Sequence, residues 1–176
     1  MKNEKKLLRV IGCLFIFWLS VTGCAKKPDI PAETDNKTYE TKSLSEFVPI
    51  LEKYRNGVLA NCNGRNLRTQ IITFSFAEGN RVYFCTTSDK PMYTQLVAFP
   101  YVSYCTFPED FEPVLSLNGK VVFVEDNALK ERALESNYYA KNNFKSVDNP
   151  LLKVFCIEVK EIETFSYEGA KIYSAQ

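Results

Sequence analysis

The sequence predicts a mainly β domain, a small antiparallel barrel with short helices at its ends. Three observations predict it. Runs rich in β-branched and aromatic residues, alternating or wholly apolar, recur six times between residues 57 and 168. Several are joined by short turn signals, NGR at 63–65 and EGN at 78–80, which set consecutive strands antiparallel. Stretches with helical spacing are few and short, and the 176 residues show neither an internal repeat nor a second domain. Pattern alone does not separate a closed barrel from a sandwich.

Residues 1–23 stand apart from the fold. Lys2, Lys5, Lys6 and Arg9 precede the apolar stretch VIGCLFIFWL at 10–19, the order of a signal peptide and too short to span a membrane. VTGC at 21–24 resembles a bacterial lipobox, which implies lipidation of Cys24 and a membrane-anchored lipoprotein of the cell envelope, facing outside the cytoplasm. A signal cut by the ordinary peptidase and an uncleaved anchor are the other readings of these residues. Residues 24–42 are polar, contain proline and have few apolar side chains, so they are expected to form a disordered tether. The domain is expected over 43–176.

Ser43 and Glu46 have capping-box spacing, and Leu44, Phe47, Ile50, Leu51 and Tyr54 make one apolar helix face. Pro49 within that run implies a helix that starts at Ser45 or is kinked. Strands at 57–62, 67–76 and from Arg81 form a meander, and Met92, Leu96 and Val97 then recur at helical spacing. A fourth strand at 101–107 leads through the acidic loop PEDFEP to a fifth at 114–125, bulged at Gly119. Asp126 or Asn127 caps a helix over 128–141. The last strand, 151–168, turns Phe155, Ile157 and Val159 one way and Glu158 and Lys160 the other.

Composition excludes several chemistries. With no histidine, Ser-His-Asp and Cys-His catalysis, His-ligated zinc and His-ligated haem are ruled out. Loss of the leader removes four basic residues (Lys2, Lys5, Lys6, Arg9) and one acid (Glu4), which turns a net charge of +1 into −2. That balance argues against a nucleic-acid partner. Cys62, Cys85, Cys105 and Cys156 sit in strand-like runs without metal-ligand spacing. Export permits disulfides among them, and buried free thiols acting as small apolar groups are the preferred reading.

The chemistry concentrates in RVYFCTTSDKPMYTQLVAFP at 81–100, where a strand delivers Thr86, Thr87, Ser88 and Lys90 to the start of a helix. Hydroxyls, backbone N–H groups and an ammonium at such a point suit an anion such as phosphate. An ordinary strand–turn–helix junction with a solvated lysine is the plain alternative.

YFCTTSDKPMYTQL, followed by Phe99 and Pro100, resembles the pyridoxamine 5′-phosphate oxidase-like family, the FMN-binding split barrels. The similarity runs from about Gly57 to about Glu168, with Phe99 where the family has asparagine. The resemblance implies a six-stranded antiparallel split barrel of the FMN-binding type, a homodimer with FMN between its protomers, and oxidoreductase action on a small molecule. By position, Thr86, Thr87, Ser88 and Lys90 would grip the FMN phosphate.

Arg68 stands near the family's basic strand residue, but NLRTQ departs from the family's Pro-x-x-Arg and puts Thr69 in the arginine's place. A one-residue displacement turns a side chain to the opposite face, which leaves a solvated arginine as the rival reading. Gln70 and Gln95 would reach the flavin ring, or are ordinary satisfied amides. Ser116 replaces an arginine that the family carries on its fifth strand. Tyr101, Tyr104, Phe107 and Phe111 are assigned to the core and the dimer interface rather than to a flavin-stacking role. No catalytic residue stands out. The absence of histidine argues against true pyridoxamine phosphate oxidation and for a more general flavin oxidoreductase. The rival reading is a split barrel without flavin, holding another ligand or serving as a structural lipoprotein.

Overall fold

The computed structural model of the protein describes residues 38–176, so the expected leader, Cys24 and the tether up to residue 37 lie outside the described residues. The strands are β1 (Glu40–Lys42), β2 (Asn56–Cys62), β3 (Leu67–Glu78), β4 (Arg81–Thr87), β5 (Tyr101–Thr106), β6 (Val114–Phe123), β7 (Leu152–Ser166) and β8 (Gly169–Ala175). Hydrogen bonding runs β7–β4–β3–β2–β5–β6 and returns from β6 to β7, which closes a six-stranded antiparallel barrel.

Closure depends on the length of β7. Its 15 residues pair with β4 over Leu152–Glu158 and with β6 over Phe155–Phe165, so that Phe155 stands opposite both Phe84 and Phe123. The sandwich left open by pattern is thereby excluded. The expected final strand is in fact two, because the chain turns after Ser166 and comes back as β8 along the outer half of β7. Residues Glu40–Lys42, expected as tether, pair in parallel with Tyr173–Ala175 and extend the ordered domain toward the N-terminus.

Alternation along the strands separates two apolar layers. Leu59, Phe74, Val82, Phe84, Tyr104, Leu117, Phe155 and Ile157 fill the barrel. Phe76, Tyr83, Val154 and Cys156 face outward beneath a helical cap that contributes Ala133, Leu134 and Ala140. The switch of faces within β3 is made by a bulge between Phe74 and Phe76. Past it, Phe76 stacks on Tyr83 with ring centroids 4.2 Å apart. The irregularity expected at Gly119 is present as a register shift between Asn118 and Gly119, but the extra residue is Lys160 of β7 rather than one of β6. A Cβ at 119 would press on the Glu158 carbonyl, so only glycine fits that crossing.

The helices follow their caps. Ser43 and Glu46 form the expected capping box on a 3-10 turn, Leu44–Glu46, and the helix proper, α1 (Val48–Lys53), then takes Pro49 in its first turn, where a missing N–H costs nothing. α2 (Pro91–Ala98) buries Met92 and Leu96. The single helix expected over 128–141 is two, α3 (Asn127–Glu135), capped by Asp126, and α4 (Tyr138–Phe144), capped by Asn137. Cys62, Cys85, Cys105 and Cys156 are free thiols. Of the aromatic residues assigned to core or interface, Tyr104 is core, while Tyr101, Phe107 and Phe111 are exposed. Among the described residues no helix is long and apolar enough to cross a membrane.

Candidate functional site

Two strands and one short helix build a groove of about 420 Å³ at the end of β4. Ile71, Ile72 and Thr73 of β3 form its floor with Cys85, Thr86 and Thr87 of β4, and Asp89 and Lys90 stand at its rim. Asn137, Tyr139, Ala140, Asn143 and Phe144 supply the opposite wall. The break between α3 and α4 places that wall. Asn137 accepts the Ala140 N–H at 3.1 Å and donates to the Thr73 carbonyl at 3.2 Å and the Ser75 hydroxyl at 3.3 Å. Arg55 fastens the same junction, donating from Nη2 to the carbonyls of Phe74, Ser75 and Ser136.

The polar atoms of the groove divide into spent and unspent groups. The Thr86 and Thr87 hydroxyls are buried and make no hydrogen bond, although Thr86 is only 2% exposed. A buried hydroxyl without a partner costs about 1–3 kcal/mol, and the two are on opposite faces of β4, Thr86 on the barrel row of Val82 and Phe84 and Thr87 on the outer row of Tyr83 and Cys85. The backbone of the turn is committed in part, the Asp89 and Met92 N–H groups making no hydrogen bond among the described residues. Ser88 N–H donates to the Leu151 carbonyl at 2.9 Å, Lys90 N–H to the Thr87 carbonyl at 3.4 Å, and Pro91 has no N–H to offer. Lys90 is exposed. Burial pushes the Cys85 thiol on the groove floor up to about 11, which holds it as a neutral thiol.

Of the residues expected to hold a cofactor, Thr86, Thr87 and Lys90 line this groove and Ser88 lies between them on the turn. Arg68 does not join them. Ile71, Ile72 and Thr73 line the groove, and Arg68 and Thr69 lie farther back along β3 and do not. Arg68 and Thr69 are both exposed, on opposite faces of the strand.

Gln70 and Gln95 are brought together, but with each other. Asn61, 2% exposed, accepts from Gln70 Nε2 at 3.3 Å and donates to Gln95 Oε1 at 2.9 Å, tying β2, β3 and α2 at one end of the barrel. Asn61 was not singled out by sequence, nor were Asn137, Tyr139 and Asn143. An asparagine midway through an otherwise helical run was the available signal for a second cap.

A second groove of about 570 Å³ lies between Lys53–Asn56 and Phe107–Asp110. Its guanidinium is the Arg55 group already bound to three carbonyls. Among the described residues no group of three or more acidic or cysteine side chains converges as metal ligands.

Comparison with known proteins bears on the fold and on the family. A family model described as pyridoxamine 5′-phosphate oxidase matches residues 45–166. No curated protein matches. Among solved structures, a NimC/NimA family protein from Clostridium acetobutylicum superposes with a TM-score of 0.66 at 21% identity, over 75% of this chain and 92% of that one. A candidate pyridoxamine 5′-phosphate oxidase from Listeria innocua gives 0.60 at 25% identity, over 68% and 95%. A heme-binding protein from Mycobacterium smegmatis gives 0.60 at 14% identity, over 76% of this chain and 58% of that one.

Proposed function

The chain belongs to the pyridoxamine 5′-phosphate oxidase family, and from that premise we propose that it is an FMN-binding flavoprotein acting as an oxidoreductase on a small molecule. The observation that carries this reading is the groove at the turn from β4 into α2, where the unpartnered Thr87 hydroxyl on the outer face of β4 stands beside Lys90. These residues fit the cofactor's tail. The Thr87 hydroxyl would turn to bond the ribityl chain or phosphate, and Ser88 and Lys90 would reach the phosphate from the turn. Ile71, Tyr139 and Phe144 offer apolar and aromatic surface to a ring system. Bound flavin would supply the electron chemistry, and the protein would hold it, orient it and limit its contact with water.

The same proposal includes a homodimer and a lipid anchor. Leu67 and Ile71 are 81% and 82% exposed on one row of β3, an apolar strip that a second copy would cover. The signal-like leader and the lipobox-like VTGC at 21–24 support a tether at the cell envelope through Cys24. The full chain, purified in mild detergent, should be yellow or take up FMN on reconstitution. Colourless protein that does not take up FMN would reject the reading.

One observation favours a second reading, a split barrel holding a ligand other than flavin. Lys90 shares the groove's rim with Asp89, and Arg68 does not line the groove to supply another positive charge.

A further inference from the structure

We propose that the end of the barrel carrying Phe107, Phe111, Phe165 and Tyr167 rests on a zwitterionic lipid surface. The proposal rests on the lipid-anchor reading given above and says which face of the domain the bilayer meets. Three observations carry it.

The first is where the aromatic residues gather. Phe107 and Phe111 are on the loop between β5 and β6, and Phe165 and Tyr167 are at the turn from β7 into β8. Val114 pairs with Phe165, and the Tyr167 hydroxyl donates to the Asp110 carbonyl at 3.2 Å, so loop and turn make one end of the barrel. All four rings are exposed, between 48% and 79%. Phe107 and Phe111 meet edge to face with centroids 5.9 Å apart. Phe111 also has a φ of 57°, left-handed backbone that disfavours a bulky side chain. Exposed rings grouped at a loop tip suit the boundary between headgroups and acyl chains, which is apolar on one side and wet on the other.

The second is where the chain enters the domain. β1 runs parallel to β8, with Glu40 beside Tyr173 and Lys42 beside Ala175. β8 itself starts at Gly169, opposite Ser166. The direction of β1 therefore turns the N-terminal side of the domain toward the same aromatic end. Residues 24–37 separate the lipobox-like cysteine from the first described residue, and a chain of that length reaches about 50 Å at most. A domain held so close meets the lipid at an effective concentration of about millimolar, where a small apolar patch is enough to settle its orientation.

The third is charge, which selects the lipid. Over 107–113 and 165–171 the exposed charged residues are Glu109, Asp110, Glu168 and Lys171, and Lys53 faces Asp110 across a groove. Half-buried Glu112 adds a further acid. The balance is acidic, so an anionic leaflet would repel this end and neutral headgroups would not.

The test places a tryptophan at each end of the barrel in the full chain, with the single native tryptophan removed by Trp18→Phe. Phe111→Trp and Phe107→Trp report the aromatic end, and Leu151→Trp reports the other end of β7. The chains are reconstituted in phosphatidylcholine vesicles with brominated acyl chains, which quench a ring only on contact with lipid. The expected result is quenching and a blue shift at 111 and 107 and neither at 151. Adding phosphatidylglycerol should weaken the quenching, and stronger quenching would overturn the choice of a zwitterionic surface. No quenching at 111 or 107 in chains that still float with the vesicles would overturn the proposal and leave the anchor reading intact. A blue shift without quenching would overturn it too, and would mean that a second copy covers the rings. Chains that do not float with the vesicles would overturn the proposal and the anchor reading together.

Discussion

Asn137 Nδ2 lies 3.2 Å from the Thr73 carbonyl oxygen, and through that bond one side chain fixes a helix to a strand on the far side of a groove. The same amide reaches the Ser75 hydroxyl, and its oxygen caps α4 at the Ala140 N–H. Because Asn137 is only 4% exposed, none of these bonds is readily replaced by water. Asn137→Ala is expected to cost about 2–3 kcal/mol, from a lost helix cap together with a stranded buried carbonyl. Urea unfolding followed by circular dichroism measures it, and Asn137→Asp should recover only the cap.

Thr86 and Thr87 carry a cost that the ligand-free chain gains nothing from. Thr86→Val keeps the shape and the β-branching and removes an unpartnered hydroxyl from a residue that is 2% exposed. The variant should therefore be more stable than the parent by about 1 kcal/mol in the absence of ligand. Thr87→Val, on the outer face of the strand, should instead lower flavin affinity, the exchange of function for stability seen where polar groups are held ready for a ligand. Thermal unfolding with and without FMN reads both effects in one experiment.

Alkaline stability should report the buried thiol on the groove floor. Burial raises Cys85 from an ordinary value of 9.0 to about 11, against a smaller opposing pull from its contact with the Ser75 hydroxyl. Between those two values the unfolded chain has released the proton and the folded chain still holds it. The folded form then binds more protons, so stability is intact below about pH 9 and declines as pH rises toward about 11. Burial pushes Cys156 and Tyr104 the same way. Cys85→Ala should flatten part of the decline in urea midpoints across that window and leave the remainder to these two groups.

Gly119 tests how the barrel closes. Its absent side chain lets β6 pass over the Glu158 carbonyl, and an added Cβ would also sit 2.9 Å from Ile157 Cγ2. Gly119→Ala should destabilise by about 2–3 kcal/mol through forced backbone shifts. Gly79 has open space around it and a left-handed backbone, so Gly79→Ala should cost no more than about 1 kcal/mol. The ratio of the two separates crowding from simple loss of glycine.

Most of the architecture was legible because its signals are local. The six barrel strands, the capping box at Ser43 and Glu46 and the irregularity of pairing at Gly119 follow from alternation, cap chemistry and turn residues, although the extra residue of that irregularity is on β7. Closure was not legible, because it depends on β7 pairing along both of its edges, which leaves no trace in the alternation of one strand. β1 was missed because three residues in a polar stretch acquire strand character only from their partner, β8.

At the candidate site the hydroxyl turn could be read from its composition. The face on which Arg68 falls could not, since one residue of register decides it. The amide pair Gln70 and Gln95 was legible as two separate polar residues. Their common partner, Asn61, comes from a third strand, and only the fold brings it between them. The two-helix cap was read as one helix because Ser136 and Asn137 are tolerable inside a helix, and what breaks it is a long-range bond to β3.

The most direct test of the account is an FMN titration of the isotopically labelled full chain followed by amide chemical shifts. The account predicts saturable shifts concentrated at Thr86, Thr87, Ser88, Lys90 and Asn143. Shifts confined to the Lys53–Asp110 groove, or none at FMN concentrations up to about 1 mM, would contradict it.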